Sequence, residues 1–303
     1  MATHGSDRAE VVSSDVLEAL ELPMDKVVQD PELRRVRLVS LGCWCGVKMD
    51  FKWLGFGSET LPFDWAMTSM DGILHFLKND FQGFLEVSSQ EVIPDSDGKM
   101  VYRSPVHSFW HDDPHSEEDI EKYRRRIARF QSIDAREDPV LFARVACRSS
   151  FAYEISKAGK LAERLRRMYG DEAHFLLIIE DQQGGHSGAC MVQDVDNLLI
   201  YFVPKQEYAE AIITGLVWTA RRSIPTIVVG GVEEAARICI EIPGGMAGKG
   251  GIRGFDEGVE VPNVWQGSGG LLGKTLQWVG SRMKTMSLQQ DNFHWNPFVQ
   301  WRA

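Results

Sequence analysis

The stretch VRLVSLGCWCGVKMDFKWLGFGSETLPFDW, residues 36–65, decides our prediction of the fold and of the site. It opens with an apolar, β-rich run, Val36–Leu41, which predicts the first strand. Gly42 breaks this run, two cysteines follow, and Gly46–Leu54 has helical spacing. Unpaired amides and the helix dipole favour a thiolate at a helix start, so the strand–turn–helix placement of Cys43 and Cys45 makes them candidate nucleophiles. The alternative is that both are ordinary buried apolar residues.

The second half of the chain alternates apolar strands with helices. The predicted strands are Val140–Cys147, Phe175–Glu180, Leu198–Val203, Thr226–Val229 and Ile238–Ile242. The predicted helices are Phe151–Tyr169 and Tyr208–Arg222. Apolar strands without polar alternation, separated by helices, favour an α/β fold with a layered, mostly parallel sheet flanked by helices. Such a sheet binds ligands at the carboxyl ends of its strands, where Cys45 would lie. We expect a flexible arm over residues 1–30 and a single large domain over 31–303.

Three further segments have clear patterns. Apolar spacing predicts a helix over Met70–Phe84, and acidic residues followed by arginines predict a charged helix over Ser116–Ile133. Val101–Trp110 is predicted to be a short strand that ends at a histidine cluster, His107, His111 and His115. A metal site at this cluster is one alternative, although acidic, His-rich loops are more often solvated surface.

Composition narrows the class of protein. The 303 residues are 44% hydrophobic and 25% charged, which is ordinary for a soluble globular protein. The net charge of −10 argues against nucleic acid or an anionic membrane as partner. Five cysteines form no disulfide framework, so a reducing, cytoplasmic location is expected. No motif calls for a metal or another cofactor, and the sequence does not indicate the oligomeric state.

A thiol nucleophile needs a base, an orienting group and oxyanion donors. His107, His111 and His294 are the candidate bases for Cys45, and the amides after Gly42 are the candidate donors. The candidate orienting groups are Asp64 and Asp291. The candidate substrate contacts are Trp65, His111 and Arg125. Asp291-x-x-His294 resembles the final block of SGNH-type esterases.

Five motifs, in order along the chain, resemble a papain-like cysteine peptidase family of largely bacterial, uncharacterised proteins. They are Ser40-Leu41-Gly42-x-x-Cys45, Leu61-Pro62-Phe63-Asp64-Trp65, Asn79-Asp80-Phe81, His107-Ser108-Phe109 and Tyr123–Phe130, and a strand that matches the family, Leu141-Phe142-Ala143-Arg144, follows them. The resemblance covers about residues 36–180. It implies that Cys45 is the family cysteine and His107, or His111 with Asp112, the family histidine. It also implies an alternative fold, an α+β papain-like core.

We therefore predict a cysteine-nucleophile hydrolase or acyl transferase that acts on a small molecule or a peptide. One alternative is a non-enzymatic module that binds an anionic sugar, phosphate or peptide through Trp65, Trp110 and Arg124–Arg126. A further alternative is an SGNH-like esterase with cysteine in place of serine.

Overall fold

The computed structural model describes residues 29–57, 59–93, 98–146, 151–181, 188–192, 195–204, 208–222 and 227–229. Its helices are α1 Pro31–Arg35, α2 Gly46–Trp53, α3 Met70–Lys78, α4 Glu117–Gln131, α5 Phe151–Tyr169 and α6 Tyr208–Arg221. Its strands are β1 Arg37–Ser40, β2 Ala66–Thr68, β3 Ser89–Val92, β4 Met100–Arg103, β5 His107–Phe109, β6 Val140–Val145, β7 Ala173–Asp181, β8 Gly188–Val192, β9 Val195–Pro204 and β10 Ile227–Val229. The predicted elements Ile238–Ile242 and most of the 1–30 arm lie outside the described residues.

The larger sheet has six strands in the order β1-β6-β7-β9-β8-β10. Strands β1, β6, β7 and β9 pair in parallel, whereas β8 runs antiparallel to β9 and β10 is parallel to β8. The predicted α/β fold, with a mostly parallel sheet flanked by helices, is confirmed.

Both faces of the large sheet are buried, which explains why its strands are apolar at successive positions. In β7, Phe175 and Leu177 belong to one hydrophobic cluster, which also contains residues of α3, α4 and α5. Leu176 and Ile178 belong to the other cluster, which contains residues of α2 and α6. Alternate side chains of one strand therefore enter opposite cores.

A second, antiparallel sheet has four strands in the order β2-β5-β4-β3. The prediction of a single strand over Val101–Trp110 was wrong, because the chain turns at Ser104 and forms two strands, β4 and β5. The predicted helix Met70–Phe84 ends at Lys78, since Asp80 and Phe81 adopt left-handed backbone angles, with φ of 50° and 62°.

The chain divides into two compact units, and the larger comprises Met1–Val92 and Met100–Lys249. All the elements named above belong to the larger unit. The smaller unit lies mostly outside the described residues, so the single domain over 31–303 stays a prediction. Within the described part of the chain, no helix is long and apolar enough to cross a membrane.

Candidate functional site

The turn between β1 and α2 carries both cysteines. Gly42 and Cys43 adopt left-handed φ angles of 77° and 79°. Cys45 returns to helical angles and is the N-cap residue of α2. A left-handed angle is strained for a residue with a Cβ, so the turn at Cys43 is held by its surroundings. Cys45 is thereby placed beyond the carboxyl end of β1, as predicted.

The segment that contains Asp64 packs directly against this turn. A Cβ atom at Gly42 would lie 3.0 Å from the carbonyl oxygen of Ala66 and 3.2 Å from that of Phe63. Only glycine combines this close approach with a positive φ. The backbone of the 63–66 segment therefore lies directly against Gly42.

Arg144 of β6 supports the same turn from the neighbouring strand. Its guanidinium group donates to the carbonyl oxygen of Leu41 at 3.2 Å and forms a bidentate pair with Glu154, at 2.7 and 2.8 Å. Arg144 is fully buried, and Glu154 is 4% exposed. A charge-assisted, two-point contact of this kind is rigid. It fixes the backbone immediately before Gly42.

The two thiols differ in accessibility. Cys43 is buried and Cys45 is partly exposed. Burial raises the pKa of the Cys45 thiol, while a backbone hydrogen bond opposes this effect. We expected the helix N-terminus to favour the thiolate, but here burial outweighs that stabilisation. The thiol of Cys45 is therefore protonated at neutral pH and needs a base in order to react.

The N-terminus of α2 offers hydrogen-bond donors beside Cys45. The first intrahelical bond runs from the Met49 N–H group to the Cys45 carbonyl oxygen, at 3.0 Å. Helical geometry leaves the preceding amides, including those of Gly46 and Val47, without intrahelical acceptors. The Cys45 side chain makes no capping bond, and the first turn has no acidic residue. These amides have the character of oxyanion donors.

Asp64, a predicted orienting residue, is bound to Lys48 of α2. Their charged atoms are 3.1 Å apart, and both side chains are almost wholly buried. The same carboxylate oxygen accepts from the Leu61 N–H group at 2.8 Å, and Lys48 also donates to the Gly57 carbonyl at 2.7 Å. Burial raises the pKa of Asp64, although Lys48 acts in the opposite direction. These contacts make Asp64 a clamp between α2 and the segment that approaches Gly42.

His107, a predicted base, lies inside a cage of aromatic rings. Its ring stacks on Phe84 at 5.2 Å and makes edge contacts with Phe76 and Phe109. Nε2 donates to the Phe84 carbonyl at 2.7 Å, and Nδ1 pairs with the Ser104 hydroxyl. Burial lowers the pKa of His107 to about 4. Both ring nitrogens are occupied, so His107 could accept a proton from Cys45 only by giving up one of these bonds.

The predicted substrate contacts separate into two groups. The rings of Trp65 and His111 meet edge to face at 5.6 Å, and the Lys52 ammonium lies 5.4 Å from the Trp65 ring centre. The Arg125 side chain is 58% exposed and pairs with Glu121. The structure thus brings Trp65 and His111 together, whereas Arg125 lies on the solvated face of α4.

Three polar residues near the carboxyl ends of the parallel strands were not predicted. The Tyr208 hydroxyl donates to Glu180 at 3.0 Å, and the Tyr208 ring contacts Trp44 at 6.0 Å. Burial raises the pKa of Tyr208, and Glu180, Cys43 and Asp50 add to this effect. Burial also raises the pKa of Asp50 to about 7. One signal was available, because Glu180 is an acidic residue near the end of an apolar strand, at the edge where ligands bind.

The alternative of a metal centre finds no ligand set in the described part of the chain. Within it, no three His, Cys, Asp or Glu side chains are grouped closely enough to hold an ion. Of the three clustered histidines, His107 is enclosed as described above. His115 pairs with Asp113 and packs on Tyr102. Asp291 and His294 lie outside the described residues.

Comparison of the sequence with known proteins shows what the chain is similar to. Residues 36–183 match the model of a family described as "Putative papain-like cysteine peptidase". Over this segment the chain is similar to that family. The five motifs quoted above fall within it, and so do Cys45, Asp64 and His107.

An uncharacterised protein of Acanthamoeba polyphaga mimivirus is 29% identical over 134 residues, which cover 35% of this chain and 60% of that protein. The chain therefore spans about 60% of the length of this relative. No solved structure matches the chain.

Proposed function

We propose that the protein is a cysteine hydrolase or acyl transferase in which Cys45 is the nucleophile. The observation that supports this most is the position of Cys45, a partly exposed thiol at the start of α2 and beyond the carboxyl end of β1. The similarity of residues 36–183 to a family described as "Putative papain-like cysteine peptidase" supports the same class of reaction. The proposed substrate is a small molecule or a peptide that carries an acyl group, and the proposed location is a reducing, cytoplasmic compartment.

The proposed reaction has two steps. A base takes the proton of the Cys45 thiol, and the sulfur attacks the acyl carbonyl carbon. The leaving group departs with that proton, and a thioester remains on Cys45. Water or an acceptor molecule then attacks the thioester carbon and releases the thiol. The N–H groups at the start of α2 would hold the negative oxygen in both steps.

The support around Cys45 is rigid, which suits a nucleophile. Arg144 holds the Leu41 carbonyl, and Lys48 joins α2 to Asp64. In this mechanism Arg144, Lys48 and Asp64 hold the turn that carries Cys45 in position. We further propose that Tyr208 and Glu180, beside Trp44, line the substrate site at the carboxyl ends of the parallel strands.

We further propose that His107 is not the base, because both of its ring nitrogens are already bonded. The sequence then leaves His111, inside the family segment, and His294, outside it. Asp291 would orient His294, as the spacing of the two residues suggests.

Alkylation tests the nucleophile. The wild-type protein and the variants Cys45→Ala and Cys43→Ala are treated with iodoacetamide, and the labelled cysteine is found by peptide mass spectrometry. We expect labelling at Cys45 in the wild type and in Cys43→Ala, and none at this turn in Cys45→Ala. Labelling of Cys43 at the same rate as Cys45 would overturn the assignment.

A histidine scan tests the base. His107→Gln, His111→Gln and His294→Gln are compared for the rate of Cys45 labelling between neutral and alkaline pH. Loss of the base should slow labelling at neutral pH and restore it in alkali, where the thiol ionises unaided. We expect this pattern from His111→Gln or His294→Gln, and its appearance in His107→Gln would refute our reading of that residue.

A further inference from the structure

An apolar surface flanks Cys45 at the start of α2, and the indole of Trp44 forms its first part. A Cβ atom built at Gly46 would lie 2.5 Å from the indole carbon Cε2 and 2.7 Å from Cη2. The indole therefore fills the space that a side chain at Gly46 would need. Successive residues of a helix are about 100° apart, so this space borders the side of α2 that carries Cys45.

The indole of Trp44 packs on a fixed support. Its centroid is 6.0 Å from that of the Tyr208 ring, and the two planes meet edge to face at 76°. Tyr208 is 3% exposed, and its hydroxyl group donates to Glu180 at 3.0 Å. Trp44 itself is partly exposed. It thus presents a well-positioned aromatic surface beside Cys45 that solvent, and hence a ligand, can reach.

Met49 forms the second part of the surface, one helical turn from Cys45. Its N–H group donates to the Cys45 carbonyl oxygen at 3.0 Å, so the two residues lie on one face of α2. Long side chains in a helix lean towards its N-terminus, which directs the Met49 side chain towards Cys45. Met49 is 48% exposed. Its thioether chain is therefore an accessible apolar group next to the candidate nucleophile.

The surroundings of this surface favour an apolar ligand. In the part of the chain that the structure describes, the exposed large hydrophobic side chains are Met49, Val92 and Met168, and of these Met49 shares a helix face with a candidate nucleophile. Asp50 follows Met49 and lies one helical turn beyond Gly46. Burial raises the pKa of the Asp50 carboxyl to about 7, so water solvates this side of α2 poorly. The ionised form of Asp50 would repel a negatively charged ligand.

We propose that Trp44 and Met49 form an acyl-binding surface, and that the substrate of Cys45 carries an apolar acyl chain of several carbon atoms. This inference rests on the proposed function, because it specifies the substrate of the same cysteine. The carbonyl group lies at Cys45, with its oxygen towards the amides at the start of α2, and the chain lies against the indole and Met49. An acetyl group has one methyl group to bury there, whereas a longer chain covers both side chains.

Two esters that share a leaving group test the surface, p-nitrophenyl acetate and p-nitrophenyl hexanoate. In both, the Cys45 sulfur attacks the carbonyl carbon, p-nitrophenol departs with the thiol proton, and a thioester forms on Cys45. The rate of Cys45 acylation in the full-length protein is followed by mass spectrometry and divided by the rate of the same ester with glutathione. The hexanoyl chain has four more methylene groups to bury, so the corrected rate should be about tenfold higher for hexanoate.

Variants at Met49 test the surface without disturbing the core, since this side chain is half exposed. Met49→Gln keeps the length of the side chain and makes it polar, and it should lower the hexanoate preference about threefold. Met49→Leu keeps an apolar side chain and should retain the preference. Trp44→Ala should lower it by about threefold or more. Met168→Gln makes the matched change at another exposed methionine and should leave the preference unchanged.

The outcomes separate this inference from the proposed function. Acylation of Cys45 by both esters at equal corrected rates would overturn the acyl-binding surface and leave Cys45 as the nucleophile. A hexanoate preference that is unchanged in Met49→Gln or in Trp44→Ala would also overturn it. Acylation of Cys45 by neither ester would refute the proposed function, and the acyl-binding surface with it.

Discussion

His107→Gln provides a quantitative test of how the site is built. The pKa of His107 is lowered from 6.5 to about 4 by burial, so the folded protein resists protonation where the unfolded chain accepts it. This contribution to stability is fully present above pH 6.5 and is lost as the pH falls towards 4. The difference between the pKa values of His107 in the unfolded and the folded protein corresponds to about 3 kcal/mol of unfolding free energy. About 2 kcal/mol of this is lost between pH 7 and pH 5.

The measurement is the free energy of unfolding in urea, at several pH values from 7 to 5, for the wild type and for His107→Gln. Glutamine cannot titrate, so the variant lacks the pH-dependent contribution of His107 to the free energy of unfolding. The altered contacts inside the aromatic cage lower the free energy of unfolding of the variant by about 2 kcal/mol at pH 7. The wild-type advantage should therefore shrink by about 2 kcal/mol towards pH 5. Asp50 acts in the opposite sense, because its raised pKa favours the folded state as the pH falls, but it is present in both proteins.

The result that would refute this reasoning is a wild-type advantage that stays constant or grows as the pH falls. A growing advantage would mean that His107 has a raised pKa in the folded protein. That is the behaviour of an imidazolium paired with a thiolate, and it would restore His107 as the base for Cys45.

Three further predictions concern the supports of the site and the left-handed turn that follows α3. Arg144→Ala strands the buried Glu154 carboxylate and should lower the free energy of unfolding by about 4 kcal/mol, whereas adding Glu154→Gln should recover part of this loss, as urea titration would show. Gly42→Ala adds a Cβ 3.0 Å from the Ala66 carbonyl at a positive φ and should cost about 2 kcal/mol, with slower labelling of the cysteine turn if the turn shifts. Asp80→Gly relieves a left-handed angle and should add about 1 kcal/mol to the free energy of unfolding, as urea titration would show; a loss of stability would contradict the strain argument.

The sequence predicted the large sheet well because its pattern is strong. Strands β6, β7 and β9 are apolar on both faces, and the helices between them have clear amphipathic spacing. The antiparallel sheet was missed for the opposite reason. All four residues of β3 are exposed, β5 has only three residues, and neither presents a recognisable alternation.

The end of α3 shows how tertiary contacts override periodicity. Apolar spacing continues through Phe81 and Phe84, but both side chains enter the core from a left-handed turn. That turn is closed by a bond between backbone groups of Phe81 and Phe76. Asn79 and Asp80, which are residue types that tolerate left-handed angles, were the local signal for this turn, and the apolar spacing concealed it.

The position of Cys45 after the first strand was predictable from the sequence, whereas the contacts around it were less so, and the nucleophile itself stays a prediction. Gly42, Cys45 and Asp64 are close in sequence, so one stretch revealed them together. The partner of Asp64 is Lys48, and the pairing became visible only when α2 and the Gly42 contact were placed. The cage around His107 draws its rings from several separate segments, so the sequence alone could not show that this histidine is enclosed.

The most direct test of the central claim is the mass of the intact protein during reaction with p-nitrophenyl acetate. The account predicts that the wild type and Cys43→Ala transiently gain one acetyl group, which maps to Cys45 and is released by hydroxylamine. Cys45→Ala should gain none at this turn. Acetylation of Cys45→Ala at Cys43, or a wild type that never acquires the group at Cys45, would contradict the assignment of Cys45 as the nucleophile.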